Sequence, residues 1–240
     1  MRLAVLADIH GNLEALEAVL IAAAEAGASR ILSLGDVVGY GADPLGCVYR
    51  LQEAGAVSVL GNHDQAVLAP GQIRCFNYAA RQSLLHARES LTADALAYLR
   101  SAAYRRVEHG GTLVHAHPVR PEEWETLFTY ASVLAAMAEM DWNLAFFGHT
   151  HHAAIYCWSR ERVQLLTSSS VAVGPHRYLV NPGSVGQPRD GDWRAAYALW
   201  DVERQVIELR RVEYAVARAQ EKMAAVGRSE MLVRRIARGE

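Results

Sequence analysis

The sequence predicts an α/β fold with a parallel sheet at its core. Three apolar runs, at residues 3–7, 31–34 and 57–60, are each followed by a polar turn and then by a helical segment. Strands that alternate with helices in this way form parallel sheets, and ligands collect at the loops that leave the carboxyl ends of such strands. Polar residues lie directly after each of the three predicted strands.

The middle of the chain predicts further helices and strands. Residues 76–101 are expected to form two helices, and the second begins at the capping sequence Leu91-Thr92-Ala93-Asp94. A strand at 112–114, a helix at 127–140 and a strand at 144–147 are expected to follow.

The apolar pattern changes after residue 147 to short strands linked by turns. This change predicts a second, mostly antiparallel sheet. Its expected strands are 153–158, 163–167, 178–181, 194–201 and 205–212. A last helical segment, 214–238, is expected to break near Gly227.

The composition predicts one domain over residues 1–240, because 51% of the residues are hydrophobic and supply a sizeable core. The 24 Lys and Arg nearly balance the 26 Asp and Glu, so no overall field attracts nucleic acid or an anionic membrane. Cys47, Cys75 and Cys157 form no paired motif, which indicates a reducing compartment. The first apolar run is too short for a signal peptide, and a cytoplasmic location is expected.

Five polar motifs occur in one order along the chain. They are Asp8-Ile9-His10, Gly35-Asp36, Gly61-Asn62-His63-Asp64, His115 and Gly148-His149-Thr150-His151. Each motif alone is explained by helix capping or local hydrogen bonds. All five together would bring carboxylates and imidazoles to one place without charge compensation, which is costly. The set therefore predicts a site for two metal ions, and paired cations promote the hydrolysis of phosphate esters.

With these motifs the chain resembles the calcineurin-like metallophosphoesterase superfamily, in particular its small bacterial and archaeal phosphodiesterases. The loop at 181–186, Asn-Pro-Gly-Ser-Val-Gly, is also typical of these small members. The resemblance covers nearly the whole chain. It implies a four-layer α-β-β-α sandwich, in which two mixed sheets pack face to face with helices outside.

The resemblance also implies the ligands of a dinuclear metal centre. One metal would be bound by Asp8, His10, Asp36 and His151, and the other by Asp36, Asn62, His115 and His149. Asp36 would bridge the two ions, and a hydroxide shared between them would be the nucleophile. Oxygen and nitrogen ligands without a thiolate suit Mn, Fe, Zn, Co or Ni, and the order of affinities does not choose among these metals.

By the same resemblance, His63 faces the leaving oxygen of the substrate and is not a metal ligand. Imidazole has an unperturbed pKa of about 6.5, so it can donate a proton or a hydrogen bond to that oxygen. Asp64 would orient His63. An N-cap role for Asp64 is the alternative, and the two roles are compatible.

Four residues are candidates for substrate binding. Tyr40 stands where protein serine/threonine phosphatases and symmetrical diadenosine tetraphosphate hydrolases have an arginine that binds phosphate, which favours a singly charged diester. Arg189 could restore the positive charge or be a solvated loop residue. His117 follows His115 where small members have His-Gly-Ser-Pro, and it could line the pocket or cap a turn. Asn12 could bind a phosphate oxygen or cap the first helix.

Two further groups of residues have a functional and a structural explanation. The aromatic residues could form a wall that stacks a nucleobase, or they could pack in the core. They are Tyr78, Trp124, Phe128 and Tyr130. The arginines of the last helical segment could indicate an RNA-facing helix, but acidic residues dilute them, and a solvated helix face is expected. They are Arg218, Arg228, Arg234, Arg235 and Arg238.

The predicted function is metal-dependent hydrolysis of a phosphodiester, with a small phosphate ester or nucleotide as substrate. A phosphomonoesterase or nucleotide phosphatase with the same machinery is the alternative. A third hypothesis is a non-catalytic metal-binding scaffold, but scaffold relatives typically lack the histidine that His63 retains. No membrane partner and no obvious nucleic-acid surface are expected, and a homo-oligomer is left open.

Overall fold

Twelve strands form the centre of the protein in the computed structural model, which describes residues 1–160 and 162–240. They are β1 (Arg2–Leu6), β2 (Ala28–Ser33), β3 (Val57–Ser58), β4 (Arg105–Glu108), β5 (Gly111–Val114), β6 (Leu144–Phe146), β7 (Ala154–Ser159), β8 (Arg162–Leu166), β9 (Ser170–Ala172), β10 (Arg177–Asn181), β11 (Ala195–Asp201) and β12 (Val206–Val212). The helices of the described residues surround them. They are α1 (Leu13–Glu25), α2 (Pro44–Glu53), α3 (Asn62–Leu68), α4 (Tyr78–Ser90), α5 (Ala93–Ser101), α6 (Tyr130–Glu139), α7 (Val216–Ala225) and α8 (Glu230–Arg235).

The strands form two six-stranded sheets. The first has the order β3-β2-β1-β11-β12-β9, and the second has the order β4-β5-β6-β10-β7-β8. In the first sheet β1, β2 and β3 are parallel, whereas β11 and β12 pair antiparallel. In the second sheet β5, β6 and β10 are parallel, and the outer strands pair antiparallel. The expected pair of mixed sheets is confirmed.

The strands after residue 147 do not form a separate, mostly antiparallel sheet, so the predicted pairing of these strands was wrong. Strands β7, β8 and β10 join the second sheet, whereas β9, β11 and β12 extend the first sheet from the free edge of β1. Leu3 of β1, for example, pairs with Trp200 of β11. Apolar periodicity reports which face of a strand is buried, but it does not report which neighbour the strand pairs with.

Alternation along β1 explains the layers. Leu3 and Val5 point into a core between the two sheets, whereas Ala4 and Leu6 point into a core under α1 and its neighbouring helices. A third core lies on the outer face of the second sheet, where α6 packs. The order of layers is therefore helices, first sheet, second sheet and α6.

The helix boundaries follow local capping. Thr92 caps α5 through the Ala95 amide at 3.3 Å, as the sequence predicts. Helix α6 begins at Tyr130, three residues later than expected, because Thr129 forms a capping box there. The last helical segment breaks between α7 and α8, where Gly227 has a φ of 75°. No helix of the described residues has the length and apolarity that crossing a bilayer requires.

The topology brings the five polar motifs together. Each follows the carboxyl end of a parallel strand, namely β1, β2, β3, β5 or β6. The loop after β10 reaches the same edge, where the Val185 amide donates to the Ala7 carbonyl at 2.9 Å. The ends of both sheets thus build one site.

Trp200 is the largest fully buried side chain, and it packs on Phe146 of the opposite sheet with ring centroids 5.3 Å apart. We expect Trp200→Ala to lower the free energy of unfolding by about 3–5 kcal/mol, because it leaves a cavity between the sheets. Urea denaturation measures this change. Leu165→Ala is the control, since Leu165 is 60% exposed on β8. Equal effects of the two substitutions would contradict the packing described here.

Candidate metal centre

The backbone of the site is unusual, because several non-glycine residues have positive φ. They are Asp8 (53°), His10 (48°), Asp36 (53°), Tyr40 (46°), His149 (66°) and His151 (61°). Such conformations cost about 1–3 kcal/mol each and persist where the surroundings enforce them. Here the loops after β1 and β2 hold each other, since the amides of Asp8 and His10 donate to the carbonyls of Gly35 and Asp36 at 3.1 and 2.9 Å.

One cluster of buried donor atoms comes from Asp8, His10 and His151, within 4.8 Å of one another. The Nε2 atoms of His10 and His151 are 3.1 Å apart. His151 Nε2 also lies 3.4 Å from an oxygen of Asp8. The first motif, at the end of one sheet, thus meets the last motif, at the end of the other.

A second cluster surrounds His115. Its Nε2 lies 3.3 Å from Asp36 Oδ2, 3.1 Å from Asn62 Oδ1 and 3.2 Å from His149 Nδ1. Asp36 Oδ2 also lies 3.6 Å from His10 Nε2, in the first cluster. All seven predicted ligands are therefore brought together, and Asp36 reaches both clusters.

Hydrogen bonds fix the orientation of three imidazoles. The Nδ1 atoms of His10, His115 and His151 face the carbonyls of Val38, Leu34 and Gln187 at 3.0, 2.8 and 2.6 Å. A carbonyl only accepts, so each Nδ1 carries a proton, and Nε2 of the neutral His10 and His151 rings offers a lone pair to the site. Backbone partners of this kind commonly orient histidines that bind metals.

Burial also sets the charge of these side chains. It lowers the pKa of His10 and of His151 well below the ordinary value, and it lowers that of His149 to about 3. Burial raises the pKa of the Asp8 carboxyl to about 7. Neutral imidazoles whose lone pairs face one another repel, and a cation relieves this repulsion. The donor set therefore fits divalent metal ions.

Asp36 and His115 form the charged pair of the site. Burial alone would raise the pKa of Asp36, but the positive charge on His115 outweighs it, and the pKa lies well below its ordinary value. Burial would likewise lower the pKa of His115, but the carboxylates of Asp36 and Asp8 raise it to about 9.

His63 lies at the rim of the first cluster. Its ring contacts His10 at 4.7 Å, Tyr40 at 4.8 Å and Phe76 at 5.0 Å between centroids. A Cβ on Gly39 would approach His63 Nδ1 to 2.3 Å, so a glycine is needed there. Burial lowers the pKa of His63 to about 4, and its buried Nδ1 has no hydrogen-bond partner.

Asp64 holds the backbone around His63. Its carboxylate accepts from the amides of Val37, Val38 and Gly61 at 2.9, 3.2 and 3.2 Å. Among the described hydrogen bonds none joins Asp64 to the His63 ring, so any orienting effect passes through the backbone. The N-cap role expected as the alternative falls to Gly61, and Asp64, as the third residue of α3, instead accepts from the Gly61 amide in a capping box.

Tyr40 and Arg189 line the same side of the site as His63. Tyr40 contacts the His10 ring edge at 4.7 Å. The Arg189 guanidinium lies 5.6 Å from the centroid of the Tyr40 ring, and one of its amino groups donates to Gln187 at 2.8 Å. Its buried Nε has no partner. Arg189 is therefore a half-buried cation beside the centre and not a solvated loop residue.

Asn12 and His117 have structural roles. Asn12 accepts from the Ala15 amide at 3.2 Å, which caps α1, and its amide group donates to the Gly186 carbonyl at 2.9 Å. His117 Nδ1 accepts from the amides that follow, at 3.2 and 3.1 Å. Both side chains are committed to the backbone, so the geometry favours capping over substrate contact for each.

Sequence reasoning missed three contacts of the site. Thr126 Oγ1 lies 3.1 Å from His149 Nε2. Ser184 donates to the Asp8 carbonyl at 2.7 Å. Arg228 is buried and donates from Nε to the Tyr40 carbonyl at 2.8 Å, although a solvated face was expected for it. Of these residues only Ser184 lies in a recognisable sequence motif, because it belongs to the loop at 181–186.

The four aromatic candidates separate in the structure. Trp124 lies at the site, with its ring 5.8 Å from that of His115. Tyr78, Phe128 and Tyr130 are exposed and belong to no core cluster of the described residues. Their exposure rules out the core-packing explanation for these three residues.

Comparisons with known proteins agree with this geometry. The calcineurin-like phosphoesterase superfamily domain matches residues 1–205. An uncharacterized protein of Methanocaldococcus jannaschii is 38% identical over 227 residues, which cover 92% of this chain and 91% of that protein. A metallophosphoesterase from Sphaerobacter thermophilus has 37% identity and a TM-score of 0.88, and the match covers 100% of this chain and 99% of that one.

A more distant structure shares the fold. A hypothetical protein from Pyrococcus horikoshii has 21% identity and a TM-score of 0.81, over 100% of this chain and 98% of that chain. The resemblance drawn from the five motifs is confirmed by the family match. The chain therefore belongs to the calcineurin-like phosphoesterase superfamily of metal-binding hydrolases.

Proposed function

We propose that the protein hydrolyses phosphodiesters at a dinuclear metal centre. The observation that carries the proposal is the position of Asp36, whose Oδ2 lies within 3.6 Å of His10 Nε2 in one cluster and 3.3 Å of His115 Nε2 in the other. Two divalent cations would be held by these clusters, with Asp36 common to both. When bound, they would supply Lewis acidity at the phosphoryl group and activate a water molecule.

The residues of this chain position the substrate and the proton. The neutral imidazoles of His10 and His151 present lone pairs inward, because their Nδ1 protons are donated to backbone carbonyls. His63 lies against His10 and Phe76 without being held by a side chain. Because burial lowers the pKa of His63 to about 4, its ring is neutral near pH 7, and we assign it the role of hydrogen-bond donor to the leaving oxygen.

The presence of Tyr40 on one side of the site supports a diester as substrate. A singly charged diester needs less positive charge than a dianionic monoester, and Tyr40 replaces a guanidinium that would bind two oxygens. A monoester is the second candidate, because Arg189 places a cation with an unpartnered Nε against the Tyr40 ring. A non-catalytic scaffold is disfavoured, since His63 and all seven ligands are present.

Metal content tests the dinuclear centre. Protein stripped of metal and reloaded with Mn should bind two ions per chain. Asp36→Asn should lose most of both ions, because it weakens both clusters, whereas His10→Ala should retain one. Plasma mass spectrometry after gel filtration measures the content. Asp141→Asn, on the exposed surface, is the control. One ion per wild-type chain would contradict a dinuclear centre.

Substrate class is tested with bis-p-nitrophenyl phosphate and p-nitrophenyl phosphate. Stripped protein is assayed after separate addition of Mn, Ni, Co, Zn and Mg. We expect a higher kcat/KM for the diester with a transition metal. A preference for the monoester would support the second candidate, and inactivity in every metal would favour the scaffold.

His63→Ala tests the donor role. We expect kcat to fall by roughly 10²- to 10⁴-fold, the range typical of general acid–base groups, with metal content unchanged. Both quantities are measured on the same preparation. If the variant loses its metals, His63 is a ligand, in keeping with its ring nitrogen lying within 4.8 Å of donor atoms of His10 and Asp36.

A further inference from the structure

A cavity of about 530 Å³ lies beside the metal centre. Its size falls in the range of pockets that bind small organic molecules, about 300–1,000 Å³. Gln65, Gln72, Phe76, Glu122 and Trp124 line it. Asn62, one of the seven candidate ligands, also lines it, so the cavity opens on the centre.

Trp124 is held in one orientation at the wall of this cavity. Its φ of 55° is rare for a bulky residue and marks a constrained turn. Its indole nitrogen donates to Gln65 Oε1 at 2.9 Å, and the Gln65 amide donates to the Tyr104 hydroxyl at 2.9 Å. The indole N–H and the side-chain amide of Gln65 thus already have hydrogen-bond partners. The indole therefore offers mainly its ring face to a ligand.

Two aromatic walls connect the cavity to the reacting groups. The Trp124 ring lies 5.8 Å from the ring of His115, and the Phe76 ring lies 5.0 Å from the ring of His63. A ligand between these walls therefore lies next to the metal centre, where the scissile phosphate of the proposed reaction would be held. Aromatic side chains stack any nucleobase, because every base has a π-face.

The acidic lining of the cavity disfavours a ligand that carries a second anionic group there. Among the described residues that line it, Glu122 is the acidic member and none is basic. The carboxylate of Glu122 and the amide of Gln72 accept or donate hydrogen bonds of the kind that base edges make. A neutral, planar group with polar edges fits this lining, whereas a polyphosphate chain does not.

From these contacts we infer that the cavity binds the nucleobase of a nucleoside phosphodiester, stacked on Trp124. The inference rests on the proposed function, because the scissile phosphate must lie at the metal centre. It narrows the substrate class from phosphodiesters in general to nucleoside phosphodiesters.

The kinetic test compares thymidine 5′-(p-nitrophenyl phosphate) with methyl p-nitrophenyl phosphate, which lacks a base. The wild-type protein should prefer the thymidine compound in kcat/KM. Trp124→Leu should lower this preference by roughly 5- to 150-fold, the range expected for the loss of one stacked base. Phe128→Leu, at an exposed aromatic outside the cavity, should keep the wild-type preference. Equal use of both substrates by the wild type would overturn the inference.

A binding test is independent of turnover. Cys75 is exposed and lines the cavity, whereas Cys47 and Cys157 are buried, so iodoacetamide should alkylate Cys75 first. Thymidine 5′-monophosphate should slow this alkylation in the Mn-loaded protein, and Trp124→Leu should abolish the protection. Peptide mass spectrometry measures the rate.

The control ligands separate the outcomes. Methyl phosphate should give no protection, and equal protection by ribose 5-phosphate would assign the cavity to a sugar and overturn the inference. If neither diester is hydrolysed but thymidine monophosphate still protects Cys75, the proposed function fails while the base site stands. If both diesters are hydrolysed equally and protection is absent, only the base site fails.

Discussion

The buried carboxylate of Asp36 is the constraint on which the site depends. It lies between a histidine of each sheet, and its other oxygen accepts from the His63 amide at 2.8 Å. A Cβ on Gly61 would lie 2.2 Å from this oxygen, so the start of α3 approaches as closely as a glycine permits. One negative charge thus fixes the distance between the sheet ends and the position of His63. A buried charge is costly unless it is paired, and the protonated imidazole of His115 provides the pairing.

The strained loops follow from this constraint. The donor atoms converge from loops in which Asp8, Asp36 and His151 adopt positive φ, a conformation that the Cβ atom of an L-residue disfavours. The loops are held by one another and by the loop at 181–186, where the Gly186 amide donates to the Asp8 carbonyl at 3.0 Å. Stability gained in the three apolar cores offsets the strain stored at the edge of the sheets.

The sequence predicted the fold class and the composition of the metal site, because both depend on local patterns. Apolar runs mark β1, β2 and β6, and each is followed by its own ligand motif. Sheet pairing after residue 147 could not be predicted, because the apolar pattern of a strand such as β11 is compatible with the free edge of either sheet. The contact of Arg228 with the Tyr40 loop joins residues 188 positions apart, and no local pattern encodes it. The short strand β4 was missed because its sequence, Arg-Arg-Val-Glu, is largely polar and exposed.

The contact between Arg228 and the Tyr40 loop joins the C-terminal helices to the edge of the candidate metal centre. The family domain matches residues 1–205, whereas α7 and α8 lie beyond it. Arg228, between these helices, supports the backbone of Tyr40 and Gly41 and touches none of the seven ligands. A substitution of Arg228 would therefore alter the backbone that carries Tyr40 while every side chain of the two clusters is retained.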